Sequence, residues 1–154
     1  MLEKSVAEIL IQRKLTLAVA ESCTGGLISD SLTNIPGSSQ YFMLGVIAYS
    51  NEAKIDILGV SPETIRSYTA VSKEVALELA TNVKHLGKAN IGLSVTGIAG
   101  PTGATPLKPV GIVFISVSIG HNHYFKKFKF SGNRQRIKNQ SKDAALKLLL
   151  ECLQ

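Results

Sequence analysis

Thr16-Leu17-Ala18-Val19-Ala20-Glu21-Ser22-Cys23-Thr24-Gly25-Gly26 is the stretch whose reading decides the fold. Thr16 to Ala20 is a short apolar run that stops at polar residues, which predicts a strand buried on both faces. The two glycines that close the polar cluster open a predicted helix running through Leu32, and Ile35-Pro36-Gly37-Ser38 ends that helix as a loop. Upstream, the apolar residues from Val6 to Leu10 recur at helical spacing. Helix, buried strand, polar turn, helix is the grammar of an α/β protein.

Working outward, Tyr41 to Tyr49 is aromatic and β-branched enough for a strand, and Asn51 is predicted to cap a short helix through Leu58. Ser61-Pro62-Glu63 gives a second helix start, with proline at the first helical position. Ser72 is predicted to cap a longer helix whose apolar positions Val75, Ala76, Leu79, Ala80 and Val83 follow the helical period until Gly87 stops it. Ile91 to Val95 is the next buried strand. Glycines and prolines from Gly97 to Pro109 exclude regular structure there. Val110 to Ile119 and Tyr124 to Phe130 then make two strands around a hairpin at Gly120-His121-Asn122-His123, and Arg134 to Leu153 is a closing amphipathic helix. The order predicts one domain over residues 1–154. Its expected architecture is a three-layer α/β/α sandwich with a mixed, mostly parallel sheet and one antiparallel member.

Composition supports a folded domain: 45% of the 154 residues are hydrophobic and 18% charged, the charges being interleaved rather than segregated. A chain near this length buries roughly 70% of its unfolded surface, enough for a real core. No uncharged apolar run approaches the roughly 18 residues that a bilayer requires, and Glu3 and Lys4 stand where a signal peptide would be apolar. The expected location is the cytoplasm, with no membrane partner. Cys23 and Cys152 lie at opposite ends of the chain and form neither a disulfide framework nor a metal-ligand spacing. His85, His121 and His123 are scattered too, so no metal site and no cofactor is expected.

The formal charge of +6 favours anionic partners. Part of it is local, since Lys126, Lys127 and Lys129 alternate with Phe125, Phe128 and Phe130. This pattern fits a lysine-protected edge strand better than a nucleic-acid surface, which ranks last among the functional readings.

Ligands of open α/β sheets gather beyond the carboxyl ends of the strands. Three segments qualify: Glu21 to Gly26, Tyr49 to Lys54, and Ser94 to Pro101. In the first, Ser22 is the natural nucleophile, with Thr24, Gly25 and the backbone N–H groups from Ser22 to Gly25 around a reacting carbonyl; Ser22 and Thr24 as simple helix caps is the competing reading. Cys23 has no histidine near it in sequence to activate it. In the second segment, Lys54 follows the expected cap Asn51 by three residues, where the helix dipole would lower its pKa and let it serve as a base. The alternative is a solvated lysine paired with Glu52 or Asp56. Tyr49 can relay a proton. In the third, Thr96 and Gly97 let a backbone approach a ligand, but the glycine-rich loop has neither the Walker ending nor a dinucleotide fingerprint. Arg134 can clamp a phosphate with its planar fork or form a surface ion pair.

Taken together, Ala18 to Gly26, Leu32 to Ser39, Gly45 to Lys54, Ala70-Val71-Ser72, Ser94 to Pro101, Thr105-Pro106 and Lys108 to Gly111 resemble the CinA C-terminal domain family over nearly the whole chain. The resemblance implies a three-layer α/β fold, frequent self-association into a homo-oligomer, and deamidation of nicotinamide mononucleotide to nicotinate mononucleotide and ammonia. It also implies a catalytic group of serine, tyrosine and lysine, which falls on Ser22, Tyr49 and Lys54, with Thr96, Gly97 and Arg134 as ligand-binding candidates. The sequence departs from the family at Thr69, where glycine is common, and around Thr102 and Ala104, where the family has more glycine. It departs again at Asn133, where an acid usually precedes the arginine. Long members carry a separate N-terminal domain, and none is expected within these 154 residues. A non-catalytic nucleotide-binding or assembly module is the alternative to the enzyme.

Overall fold

A computed structural model describes residues 1–154. Its five strands are β1 (Leu17–Glu21), β2 (Phe42–Ile47), β3 (Ile91–Gly97), β4 (Ile112–Ile119) and β5 (Asn122–Lys129). They form one sheet in the order β2-β1-β3-β4-β5. β1 pairs in parallel with both β2 and β3, while β4 runs antiparallel to β3 and to β5. β4 is therefore the one strand opposed to the other four, as expected for a mixed sheet with one antiparallel member.

Both faces are covered, which explains why β1 and β3 read as continuous apolar or small-residue runs. On one face Leu17, Val19, Ile91, Leu93, Val95, Val113, Ile115 and Val117 pack into the main core with Val6 and Leu10 of α1 (Leu2–Arg13), Ile28 and Leu32 of α2 (Leu27–Thr33), and Ile137, Ala145 and Leu149 of the last helix, Arg134–Leu153. Ala18 and Ala20 point the other way, onto Val75, Leu79 and Val83 of Lys73–Leu86. That helix sits low on the sheet because its partners are small. A Cβ on Gly92 would lie 1.9 Å from Ala80 O, and one on Gly87 would lie 2.9 Å from the Ala18 Cβ. Gly87 ends the helix in ordinary right-handed backbone at φ −81°. Closeness to β1, rather than a left-handed cap, is what requires glycine there.

Two short helices bridge β2 to that long one. They are α3 (Asn51–Asp56) and α4 (Pro62–Tyr68), so the long helix is α5 and the last is α6. The cap of α3 is Ser50, whose Oγ accepts from Ala53 N at 3.0 Å. The expectation of Asn51 as cap was one residue late. Ser72 caps α5 as expected, accepting from Val75 N at 3.2 Å. The hairpin turn is also tighter than expected: Ile119 pairs with Asn122, leaving Gly120 and His121 as the whole turn, with Gly120 at φ 58°. A glycine at the first of two turn positions matches the right-handed twist of the strands. β5 is an edge strand with most of its residues exposed, as the lysine pattern predicts. No helix is long and apolar enough to cross a membrane.

Candidate active site

The carboxyl ends of the parallel strands β1, β2 and β3 open into a cleft of about 270 Å³. It is lined by Ser22 and Cys23 after β1, Tyr49, Asn51 and Lys54 after β2, and Thr96 to Gly100, Thr102 and Gly103 after β3, with Ala70, Val71 and Arg134 completing the wall. All three segments singled out from sequence meet here. A somewhat larger groove, about 310 Å³ between β5 and α6, contains four charged side chains but no serine, cysteine or threonine. Volume does not single out the cleft, since a shallow surface hollow beside β5 reaches about 400 Å³; the chemistry does.

Lys54 is the centre of the cleft. Its side chain is 1% exposed, and Nζ lies 3.0 Å from Ser22 Oγ, 2.8 Å from Ala48 O and 3.1 Å from Tyr49 O. No carboxylate pairs with it, so the solvated ion pair with Glu52 or Asp56 does not form. Burial holds its pKa below the ordinary 10.5. Desolvation, and not the dipole of a six-residue helix in whose last turn Lys54 sits, is the main cause. An ammonium would donate to all three oxygens. The neutral amine instead spends its two N–H bonds on the two carbonyls, which turns its lone pair toward the Ser22 hydroxyl. This is the arrangement of a nucleophile and its base.

Glu21, which sequence reasoning left without a role, fixes the position of Ser22. The carboxylate is 1% exposed and accepts four hydrogen bonds: from Thr24 Oγ1 at 2.6 Å, Ile28 N at 2.9 Å, Ser29 N at 2.9 Å and Ser29 Oγ at 2.7 Å. It thus caps α2 from six residues upstream and folds the Ser22–Gly26 turn back on itself. The signal was a lone acid at the end of an apolar run. Thr24 is consequently buried against Glu21, and neither it nor Gly25 lines the cleft. Of the backbone donors expected around the carbonyl, Ser22 N is taken by Val95 O and Gly25 N by Ser22 O, each at 3.1 Å. The N–H groups of Cys23 and Thr24 have no partner within the chain. Cys23 itself is inert, its thiol pushed up to about 12 by burial.

Thr96 lines the cleft but donates its hydroxyl to Ala70 O at 2.9 Å, which ties the wall to the α4–α5 connection. Gly97 also lines it, yet the missing Cβ makes room for β4: an added one would lie 2.7 Å from Val113 Cγ2 and 2.8 Å from Ile112 O. Close approach to a ligand is not what requires that glycine. Tyr49 is 56% exposed at the mouth, where Arg134 Nη2 donates to its hydroxyl at 2.8 Å while Nη1 donates to Gly100 O at 2.8 Å. Arg134 therefore straps the two walls together.

Comparison with known proteins gives the family and the fold. The model of the CinA C-terminal domain matches residues 1–153. The chain belongs to the CinA C-terminal domain family. It is 51% identical over 140 residues to a provisionally named competence-damage inducible protein of Thermoanaerobacter, covering 91% of this chain and 34% of the relative. It is 50% identical over 149 residues to one of Clostridium botulinum, covering 97% and 36%. The chain thus spans about a third of the length of these curated relatives. Among solved structures, the competence/damage inducible protein CihA from Agrobacterium tumefaciens superposes with a TM-score of 0.97 at 36% identity, over 99% of this chain and 94% of that one. A competence or damage-inducible protein from Enterobacter asburiae gives 0.96 at 33%, over 99% and 96%.

Two departures from the CinA pattern have structural readings. Asn133 caps α6, its Oδ1 accepting from Arg136 N at 2.9 Å, which is the work an aspartate would do and keeps Arg134 at the helix start. Thr69 adopts φ 68°, ψ 167°, backbone that suits glycine and strains a β-branched residue.

Proposed function

We propose that this chain hydrolyses the carboxamide of nicotinamide mononucleotide to nicotinate mononucleotide and ammonia, a step of pyridine nucleotide recycling. The observation that carries the reading is the 3.0 Å contact between the buried Lys54 Nζ and Ser22 Oγ. Neutral Lys54 takes the hydroxyl proton as Ser22 Oγ forms a bond to the carboxamide carbon. The oxyanion is met by the free N–H group of Cys23, which lines the cleft beside Ser22. The C–N bond then breaks, and the proton gained by Lys54 returns to the departing nitrogen, with Tyr49 at the mouth as the relay. Water, deprotonated by Lys54, attacks the acyl-enzyme, releases nicotinate mononucleotide and restores Ser22. No metal takes part.

The test is ammonia release from nicotinamide mononucleotide by metal-stripped protein, with Ser22→Ala and Lys54→Ala as controls. Release by wild type that both substitutions abolish is the expected result. Release kept by Ser22→Ala would make water the direct nucleophile. Stoichiometric nucleotide binding by folded wild type without ammonia would favour the non-catalytic binding module.

A further inference from the structure

A phosphate clamp was the role expected of Arg134; its guanidinium donates one N–H to Gly100 O and one to the Tyr49 hydroxyl, and the rest of the fork stays available to a ligand. One turn along α6, on the same face of the helix, stands Lys138. Five lysines are at least partly withdrawn from solvent: Lys54, Lys84, Lys108, Lys138 and Lys142. Four of them have acceptors. Lys54 has Ser22 and two carbonyls, Lys84 has Gly120 O, Lys108 has the Tyr68–Val71 connection, and Lys142 has Glu3. Lys138 has none, and its Nζ lies 3.6 Å from where a side chain on Gly25 would begin. A half-buried cation without a protein acceptor takes its partner from outside the chain, from water or from a bound anion.

The neighbouring protein groups do not supply it. Both oxygens of Glu21 are already engaged by four donors, Lys138 forms no ion pair, and no Asp or Glu lines the neighbouring cleft, whose wall stops short of Lys138 and Gly25. Ala99 and Gly100 N–H, on the β3 side of the cleft, join those of Cys23 and Thr24 in having no partner within the chain. Unpaired donors with no carboxylate among the lining residues suit an anion. Next to a cleft that ends at Ser22, a phosphomonoester carrying close to two negative charges at neutral pH is the anion of matching strength.

We propose that Lys138 is the residue that recognises the 5′-phosphate of the substrate, so that the enzyme selects nucleotides over the corresponding nucleosides. The identity of the amide rests on the deamidase reading above; the anion subsite does not. Lysine serves there as a point charge, while Arg134 keeps the mouth in shape.

The experiment compares kcat/KM for nicotinamide mononucleotide and nicotinamide riboside in wild type, Lys138→Gln and Lys138→Arg, and measures binding of ribose 5-phosphate to each by NMR titration. Loss of one charge-assisted contact predicts a roughly 10- to 100-fold drop in the nucleotide-to-riboside ratio for Lys138→Gln, carried by KM rather than kcat, with most of it restored by Lys138→Arg. Ribose 5-phosphate binding should weaken in step. An unchanged ratio, or unchanged ribose 5-phosphate binding, overturns the assignment. Lys138-dependent binding of ribose 5-phosphate by a protein that releases no ammonia would sink the deamidase reading and leave the subsite standing. Ammonia release indifferent to Lys138 would do the reverse.

Discussion

Replacing Lys54 by methionine removes the amine and keeps the length and volume of the stem. Two losses follow from the structure. Ser22 loses the only side chain that hydrogen-bonds its hydroxyl, and removal of a positioned general base costs about 100- to 10,000-fold in rate. Ala48 O and Tyr49 O also lose their shared donor, at a cost of about 1–3 kcal/mol for each acceptor left dry, partly offset because the amine no longer has to be buried. A net stability loss of about 2 kcal/mol is expected, too small to unfold a domain of ordinary stability. The pH dependence separates the two effects. Burial lowers the Lys54 pKa in the folded state, so between that value and 10.5 the unfolded chain binds the extra proton and stability rises with pH. Wild type gains this increment and the methionine variant does not, so their difference in unfolding free energy should widen as pH rises toward 10.5. Over the same range kcat/KM for ammonia release should climb in wild type as the amine becomes neutral. Urea denaturation at several pH values and a coupled ammonia assay measure both. A Lys54→Met protein that keeps more than about a tenth of wild-type kcat/KM would refute the base assignment, since even the weakest general base contributes more than that. A stability difference that stays flat with pH would refute the buried neutral amine.

Two further substitutions probe the turn after β1 and the α4–α5 connection. Glu21→Gln puts an amide where all four partners are donors, so urea denaturation should show a loss of about 3 kcal/mol; a loss under about 1 kcal/mol would mean that the turn does not depend on the carboxylate. Thr69→Gly should raise stability by about 1 kcal/mol, because relief of the strained φ of 68° exceeds the added chain entropy of glycine. A lowered thermal midpoint would show that the Lys108 Nζ contact to the Thr69 hydroxyl, at 2.8 Å, outweighs the strain.

Much of the fold was legible because its signals are local. A strand buried on both faces reads as an apolar run, and the serine ahead of α5 and the asparagine ahead of α6 close their own helix ends, so periodicity and capping locate most elements. Errors fell where two residues compete for one job. Ser50 and Asn51 are both good caps, and only the backbone path out of β2 selects Ser50. Gly87 and Gly97 looked conformational or ligand-facing, but their bare faces meet Ala18 and Val113, contacts between residues far apart in the chain.

Sequence by itself determined the layer order of this protein, its strand and helix types, and the three loops that would carry chemistry, since each depends on neighbours within a few residues. Tertiary structure decided the rest. It buried Lys54 away from Glu52 and Asp56 and put its amine on a serine 32 positions earlier. It turned Thr24 away from the cleft to serve Glu21, engaged Arg134 across the mouth, and left Lys138 without an acceptor within the chain. Desolvation and hydrogen-bond satisfaction are properties of the packed environment, and no spacing along a chain encodes which of several polar side chains will lose its water.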